Sequence, residues 1–288
     1  MDGKKVGTDF CIVRDMSTQP KLSFMSANFL GREKGYQEVR GFGEGNLSIR
    51  EFYEPVETYG ERIDGLFADI AALGFKGVDL WTAHCNPAWA TEKHYEGVRE
   101  ASARHGVEMV SLAGGTGASL EHFENVCRLA KGIGCSLLGL GSALLPDQIQ
   151  DVQNMLEKYD LHLAFENHPN EPTPESVLEK IGYGAFDRVR VTLDTGWFGT
   201  HGYPVEKAID TLLPFIRLVH LKNIVSSGEH EAAAWDTGCL DMLAIVRHLR
   251  DVGYSDWISL EYEPLEHDPS MTCVRFKEAV ETVWNAGI

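Results

Sequence analysis

Four segments in the second half of the chain each close an apolar run on a residue that can ligate a metal: Phe165-Glu166-Asn167-His168, Leu193-Asp194-Thr195-Gly196, Val219-His220-Leu221-Lys222-Asn223 and Leu260-Glu261-Tyr262-Glu263. An ionised carboxylate at the end of a buried strand is costly unless it is paired or metal-bound. One such acid alone is more often a salt-bridge or cap residue. Glu166, Asp194, His220 and Glu261 at matching positions on successive strands make one divalent-metal site the economical reading. Oxygen ligands with a single imidazole suit Mn²⁺ or Mg²⁺, with Mn²⁺ the leading choice and Zn²⁺, Co²⁺ and Fe²⁺ left open.

The elements that must carry these residues repeat one unit eight times. Strand-like runs cover Leu22–Ala27, Gly77–Trp81, Val107–Leu112, Ser136–Leu140, Leu161–Glu166, Val189–Asp194, Ile216–Leu221 and Trp257–Tyr262. Their apolar character suits strands buried on both faces. Amphipathic stretches lie between them. Gly60–Leu73 puts Ile63, Phe67 and Ile70 on one face. Ser119–Lys131 starts on a capping serine, and Thr173-Pro174-Glu175 gives a cap, a first-turn proline and an acid in order. Eight strand–helix alternations predict a single-domain α/β chain folded as a (β/α)8 barrel over 21–288, with a doubly wound sheet as the alternative. Residues 1–20 read as an N-terminal extension, and the connection from Asn28 to Val56 as a long loop on the catalytic face, serving as a lid or for partner docking.

Composition narrows the function classes. The chain has 288 residues and a formal net charge of −17, with no basic patch beyond Lys4-Lys5, which argues against nucleic acid. No apolar run approaches the ~20 residues of a membrane span, and no signal-like segment opens the chain. Six cysteines without a C-x-x-C pair read as reduced, mostly buried thiols, so a cytoplasmic protein is expected.

In that order and spacing, Phe165-Glu166-Asn167-His168-Pro169, Leu193-Asp194-Thr195-Gly196-Trp197, Val219-His220-Leu221-Lys222-Asn223 and Leu260-Glu261-Tyr262-Glu263 resemble the xylose-isomerase-like barrel superfamily of sugar isomerases, epimerases and lyases. The resemblance spans nearly the whole chain. It implies that Glu166, Asp194, His220 and Glu261 bind the metal and that Glu166 and Glu261 also serve as the acid/base pair on opposite faces of a sugar. It implies a homo-oligomer as well. Two departures stand out. Trp197 replaces the histidine of an Asp-x-x-His pattern, and Trp235-Asp236-Thr237-Gly238 lacks the histidine of the branch resembling endonuclease IV, which makes a nuclease improbable.

A metal on a substrate carbonyl eases removal of the neighbouring proton by a carboxylate. Returning that proton to the other face epimerises, returning it to the next carbon isomerises, and expelling a leaving group eliminates. The leading expectation is an isomerase or epimerase of an unphosphorylated keto-sugar or cyclitol. Glu263, Glu266 and Asp268 would repel a phosphate after the eighth strand, although Gly114-Gly115-Thr116-Gly117 could cradle one. His168 or Lys222 is the candidate second proton carrier. His84, Trp81, Trp197, Lys222 and His230 are candidate substrate contacts, and Phe24 and Phe198 are further aromatics that could stack on a sugar. The runner-up is a lyase. Gly35-Tyr36 and Gly41-Phe42-Gly43 in the long loop are similar to large subunits of C-glycoside deglycosidases, which act on 3-oxo-glycosides with a small second subunit. A non-catalytic sugar-binding barrel is the third possibility.

Overall fold

The computed structural model describes residues 19–37 and 39–286. The extension expected over 1–20 therefore lies almost wholly outside the described residues. The strands are β1 (Lys21–Met25), β2 (Gly77–Trp81), β3 (Glu108–Gly115), β4 (Leu137–Gly141), β5 (His162–Glu166), β6 (Val189–Asp194), β7 (Ile216–Ile224), β8 (Ala232–Ala233) and β9 (Trp257–Glu261). All eight expected strands are present, the eighth being β9. The two-residue β8 is an addition that pairs antiparallel with the end of β7.

Neighbouring strands pair in parallel from β1 through β7, β7 pairs with β9, and β9 pairs with β1, so the sheet closes on itself. Closure leaves no open edge and turns both strand faces toward apolar surroundings, which is why all five residues of β2 are buried.

The surrounding helices are α1 (Phe42–Tyr53), α2 (Val56–Ala72), α3 (Glu92–His105), α4 (Leu120–Ile133), α5 (Ile149–Tyr159), α6 (Pro174–Lys180), α7 (Thr195–Thr200), α8 (Val205–Leu212), α9 (Met242–Asp251) and α10 (Ser270–Asn285). Sequence periodicity locates the buried stripes: Ile63, Leu66, Phe67 and Ile70 of α2 face the barrel. Ser119 Oγ accepts from the His122 amide to cap α4, and Thr173 does the same for Ser176 at α6. No helix among the described residues is long and apolar enough to cross a membrane. Five cysteines are described, all unbridged; four are buried and Cys239 is exposed.

The segment from Asn28 to Val56 differs from the open loop expected there. It makes 3-10 turns at Ser26–Phe29 and Arg32–Lys34 and then forms α1. Gly45, Ser48, Ile49 and Tyr53 form its buried stripe. Glycines at 41, 43 and 45 disguise that stripe as loop composition. Gly45 is required by close approach, since a Cβ there would lie 2.8 Å from the Leu30 backbone carbonyl oxygen.

Candidate metal centre

Strand register gathers the four expected ligands. Asp194 on β6 stands opposite His220 on β7, and Lys222 stands opposite Glu261 on β9. Glu166 ends β5. One ligand atom from each of Glu166, Asp194, His220 and Glu261 lies within 4.8 Å of the others, and all four residues are buried.

Side-chain amides and a hydroxyl hold the strand ends where ladder hydrogen bonds run out. Asn167 Nδ2 donates to the Asp194 carbonyl at 3.1 Å while its Oδ1 accepts from the Asp194 amide at 2.9 Å. Asn28 does the same for β9, donating to the Leu260 carbonyl and accepting from the Tyr262 amide. Thr195 Oγ1 donates to the Lys222 carbonyl and accepts from the Lys222 amide. None of these three stands out from sequence, although Asn167 and Thr195 each directly follow a strand-end acid.

The electrostatics favour a cation. Asp194 Oδ1 accepts from the Trp197 amide at 2.9 Å, capping α7, whereas its buried Oδ2 has no hydrogen-bond partner among the described residues. Burial, reinforced by Glu261, pushes the Asp194 carboxyl well above the usual range. His220 Nδ1 lies 3.1 Å from Glu166 Oε1 and 3.0 Å from Glu261 Oε2. The Glu261 contact is proximity without hydrogen-bond geometry, since Glu261 Oε2 is also a buried orphan. Burial opposes charge on His220, yet Glu166 and the hydrogen-bonded acids around it raise its pKa well above the ordinary value. The two carboxylates that crowd Nδ1, from Glu166 and Glu261, would hold a divalent ion there in place of a proton. Two orphaned carboxylate oxygens, a third carboxylate and an imidazole nitrogen thus fit a divalent metal.

Lys222 balances the other side. Its Nζ donates to Glu261 Oε1 at 2.5 Å and to Glu263 Oε2 at 2.8 Å, and lies 4.8 Å from the Trp197 ring centroid. Burial works against its charge, but Glu261, Glu263 and Asp194 hold it well above the usual lysine value. Burial opposes ionisation of Glu261 too, and Lys222 with His220 outweighs it, holding that carboxyl low. For Glu263 burial prevails and lifts it to about 7.

Above the ligands opens a cavity of about 900 Å³ lined by Glu166, His168, Trp197, Lys222, His230 and Glu261 on one side and by Met25, Leu30, Phe42, Asn46 and Trp81 on the other. Glu231, Glu263 and Glu266 add acids to its wall, and Gly114 and Gly115 lie opposite them. His168 stacks on Trp197 with ring centroids 6.0 Å apart, and His230 meets the same indole edge-on at 5.5 Å. His168 Nδ1 sits 3.1 Å from the Glu166 carbonyl, which can only accept, so Nδ1 donates and Nε2 is left free, 3.9 Å from Glu166 Oε2.

Three sequence candidates lie elsewhere. His84 is not brought to the cavity. It is 1% exposed beneath the first 3-10 turn, with Nδ1 3.2 Å from Ser26 Oγ and the Tyr53 ring 4.9 Å away, and burial depresses its pKa to about 3. The 3-10 turns and α1 roof over a position that an open loop would have left at the rim. Phe24 and Phe198 are fully buried core residues.

The reverse case is Asp79, a fully buried carboxylate on β2 that the sequence reading does not single out. Its Oδ2 lies 2.8 Å from His220 Nε2, and its Oδ1 accepts from Ser111 Oγ. An acid in the middle of the apolar run Gly77–Trp81 was the available signal.

Residues 67–275 match the family described as xylose isomerase-like TIM barrel, and the chain belongs to that family. No curated protein matches it significantly. Among solved structures, the IOLI protein with a bound zinc atom has a TM-score of 0.67 at 14% identity, over 93% of this chain and 98% of that one. A xylose isomerase-like TIM barrel protein from Mycobacterium smegmatis in complex with magnesium gives 0.63 at 17%, over 94% and 98%. The 3-keto-D-glucoside 4-epimerase YcjR from E. coli gives 0.62 at 13%, over 92% and 99%. At such identities the likeness establishes shared fold and leaves the reaction to the site.

Proposed function

We propose that this xylose isomerase-like barrel is a divalent-metal-dependent sugar isomerase or epimerase acting on an unphosphorylated keto-sugar or cyclitol. The observation that carries the reading is the buried Glu166, Asp194, His220 and Glu261 cluster, with orphaned oxygens on Asp194 and Glu261, at the floor of the cavity. A divalent ion held there would supply Lewis acidity toward a carbonyl. Mn²⁺ is the proposed ion; the fold neighbours carry magnesium in one case and zinc in another.

The residues divide the remaining work. Glu166 and Glu261 approach the substrate from β5 and β9 as the proton-transferring pair. Lys222 occupies Glu261 Oε1 and leaves Oε2 facing the centre. His168, with its Nδ1 hydrogen committed to the Glu166 carbonyl, offers Nε2 as a second proton carrier. Trp81, Trp197 and His230 contact the sugar. Glu231, Glu263 and Glu266 disfavour a phosphate group.

Incubation with free keto-sugars in D₂O tests this. Deuterium should enter the carbon beside the carbonyl, chelator should stop it, and Mn²⁺ should restore part of it. Full exchange by metal-free protein would defeat the metal reading. A sample that binds no metal and gains no melting temperature from Mn²⁺ would instead favour a non-catalytic sugar-binding barrel.

A lyase is the second reading, as the large subunit of a C-glycoside deglycosidase acting on 3-oxo-glycosides with a small partner. The observation favouring it is α1 beside the cavity mouth, where Phe42 and Leu47 are 49% and 54% exposed. Cleavage of a 3-oxo-glycoside only when a neighbouring-gene partner is co-purified would select it over isomerisation.

A further inference from the structure

We propose that Asp79 is a positioning residue for the metal centre, fixing the His220 ring so that Nδ1 is its ligand nitrogen. The inference rests on the metal reading above. Asp79 reaches His220 across the barrel interior, because β1 and β9 separate β2 from β7 in the closed sheet. A carboxylate only accepts, so the 2.8 Å contact between Asp79 Oδ2 and His220 Nε2 places a hydrogen on Nε2. Nδ1 likewise meets a carboxylate, Glu166 Oε1 at 3.1 Å, so the metal-free ring carries a hydrogen on each nitrogen. The one on Nδ1, which faces both Glu166 and Glu261, is the one a divalent ion would replace, while Asp79 keeps the one on Nε2.

Asp79 is itself held. Ser111, opposite it in the β2–β3 register, donates to its second oxygen. Among the described residues its ion-pair partner is His220 and no arginine or lysine. A fully buried carboxylate with no permanent cation is a poor stabilising device, since its desolvation is costly. Orienting an imidazole through its far nitrogen is a role that justifies the cost, and loss of such an outer partner typically lowers metal affinity by about 10–100-fold.

Titration calorimetry of Mn²⁺ into metal-free protein tests the proposal. Asp79→Asn should weaken binding by about 10–100-fold, and Ser111→Ala, which leaves Asp79 present but unanchored, by less than tenfold. A purely structural Asp79 would lower the melting temperature of the metal-free protein and leave the affinity of the folded fraction within twofold; that result overturns the proposal. Should Asp79→Asn fail to fold, the imidazole ¹⁵N spectrum of Zn²⁺-loaded wild-type protein decides. A hydrogen on His220 Nε2 supports the assignment, and one on Nδ1 overturns it. Wild-type protein that binds no Mn²⁺ overturns the metal reading along with this one, whereas equal binding by wild type and Asp79→Asn overturns this one alone.

Discussion

Strands β5, β6, β7 and β9 gather Glu166, Asp194, His220, Lys222 and Glu261, of which Glu166, Lys222 and Glu261 line the cavity, whereas the wall from β1 to β3 presents Met25, Trp81, Ala113, Gly114 and Gly115. Both arcs belong to one closed sheet with the same buried strands, so the difference lies in strand-end chemistry. One arc concentrates charge that needs a counter-ion. The other offers shape and apolar surface, roofed by α1, whose Phe42 ring sits 5.2 Å from that of Trp81. Asp79 is the exception, a carboxylate that starts in the apolar arc and serves the charged one. The lesson is that chemistry and enclosure are assigned to separate arcs, and substitutions in each should fail differently.

The sharpest separation is expected from Glu261→Gln, which should abolish turnover and the rise in melting temperature on adding Mn²⁺ while the metal-free protein still unfolds cooperatively. Near-normal turnover would remove the distinction between the arcs.

His84, in the apolar arc, should matter through acid stability instead. Burial keeps it neutral, with a folded pKa of about 3 against an ordinary value of 6.5. Above about pH 6.5 neither state protonates it. As pH falls below that, the unfolded chain takes up a proton the folded chain refuses until about pH 3, so stability drops by up to about 1.4 kcal/mol per pH unit. Denaturant titrations of His84→Gln between pH 6 and 4 should show a shallower decline than wild type; parallel curves would mean His84 is hydrated.

Gly114→Ala comes next. Gly114 has φ +142°, and a Cβ there would lie 2.4 Å from Thr82 Oγ1. The expected cost is about 1–3 kcal/mol in thermal unfolding, with Mn²⁺ affinity unchanged. The smallest effect belongs to Phe42→Ala, which should cost no more than about 1 kcal/mol and leave Mn²⁺ affinity intact. A large loss of metal binding in either variant would show that the arcs are coupled more widely than through Asp79.

The charged arc was legible in the sequence because strand ends announce themselves. Glu166, Asp194 and Glu261 each terminate an apolar run, and parallel register does the rest. Asp79 carries no such announcement. It sits mid-strand, and its partner His220 is distant in the chain and across the barrel, so only the closed geometry relates them. α1 was hidden by its glycines, and with it the roof over His84, which is why a histidine after β2 reads as a rim residue when it is buried. Trp197 was visible as a departure, but its contacts with His168, His230 and Lys222 are tertiary facts.

From Asp79 the polar contacts run through His220 to Glu166 and Glu261, then through Lys222 to Glu263, with negative and positive groups alternating. Each group is the counter-charge of its neighbours, so a substitution at one is felt by the next, and effects within the chain should not add. In evolutionary terms the centre is an epistatic block. Descendants of this protein can change Phe42 or Leu47 one at a time, but a change of sign inside the block survives only when a second change accompanies it.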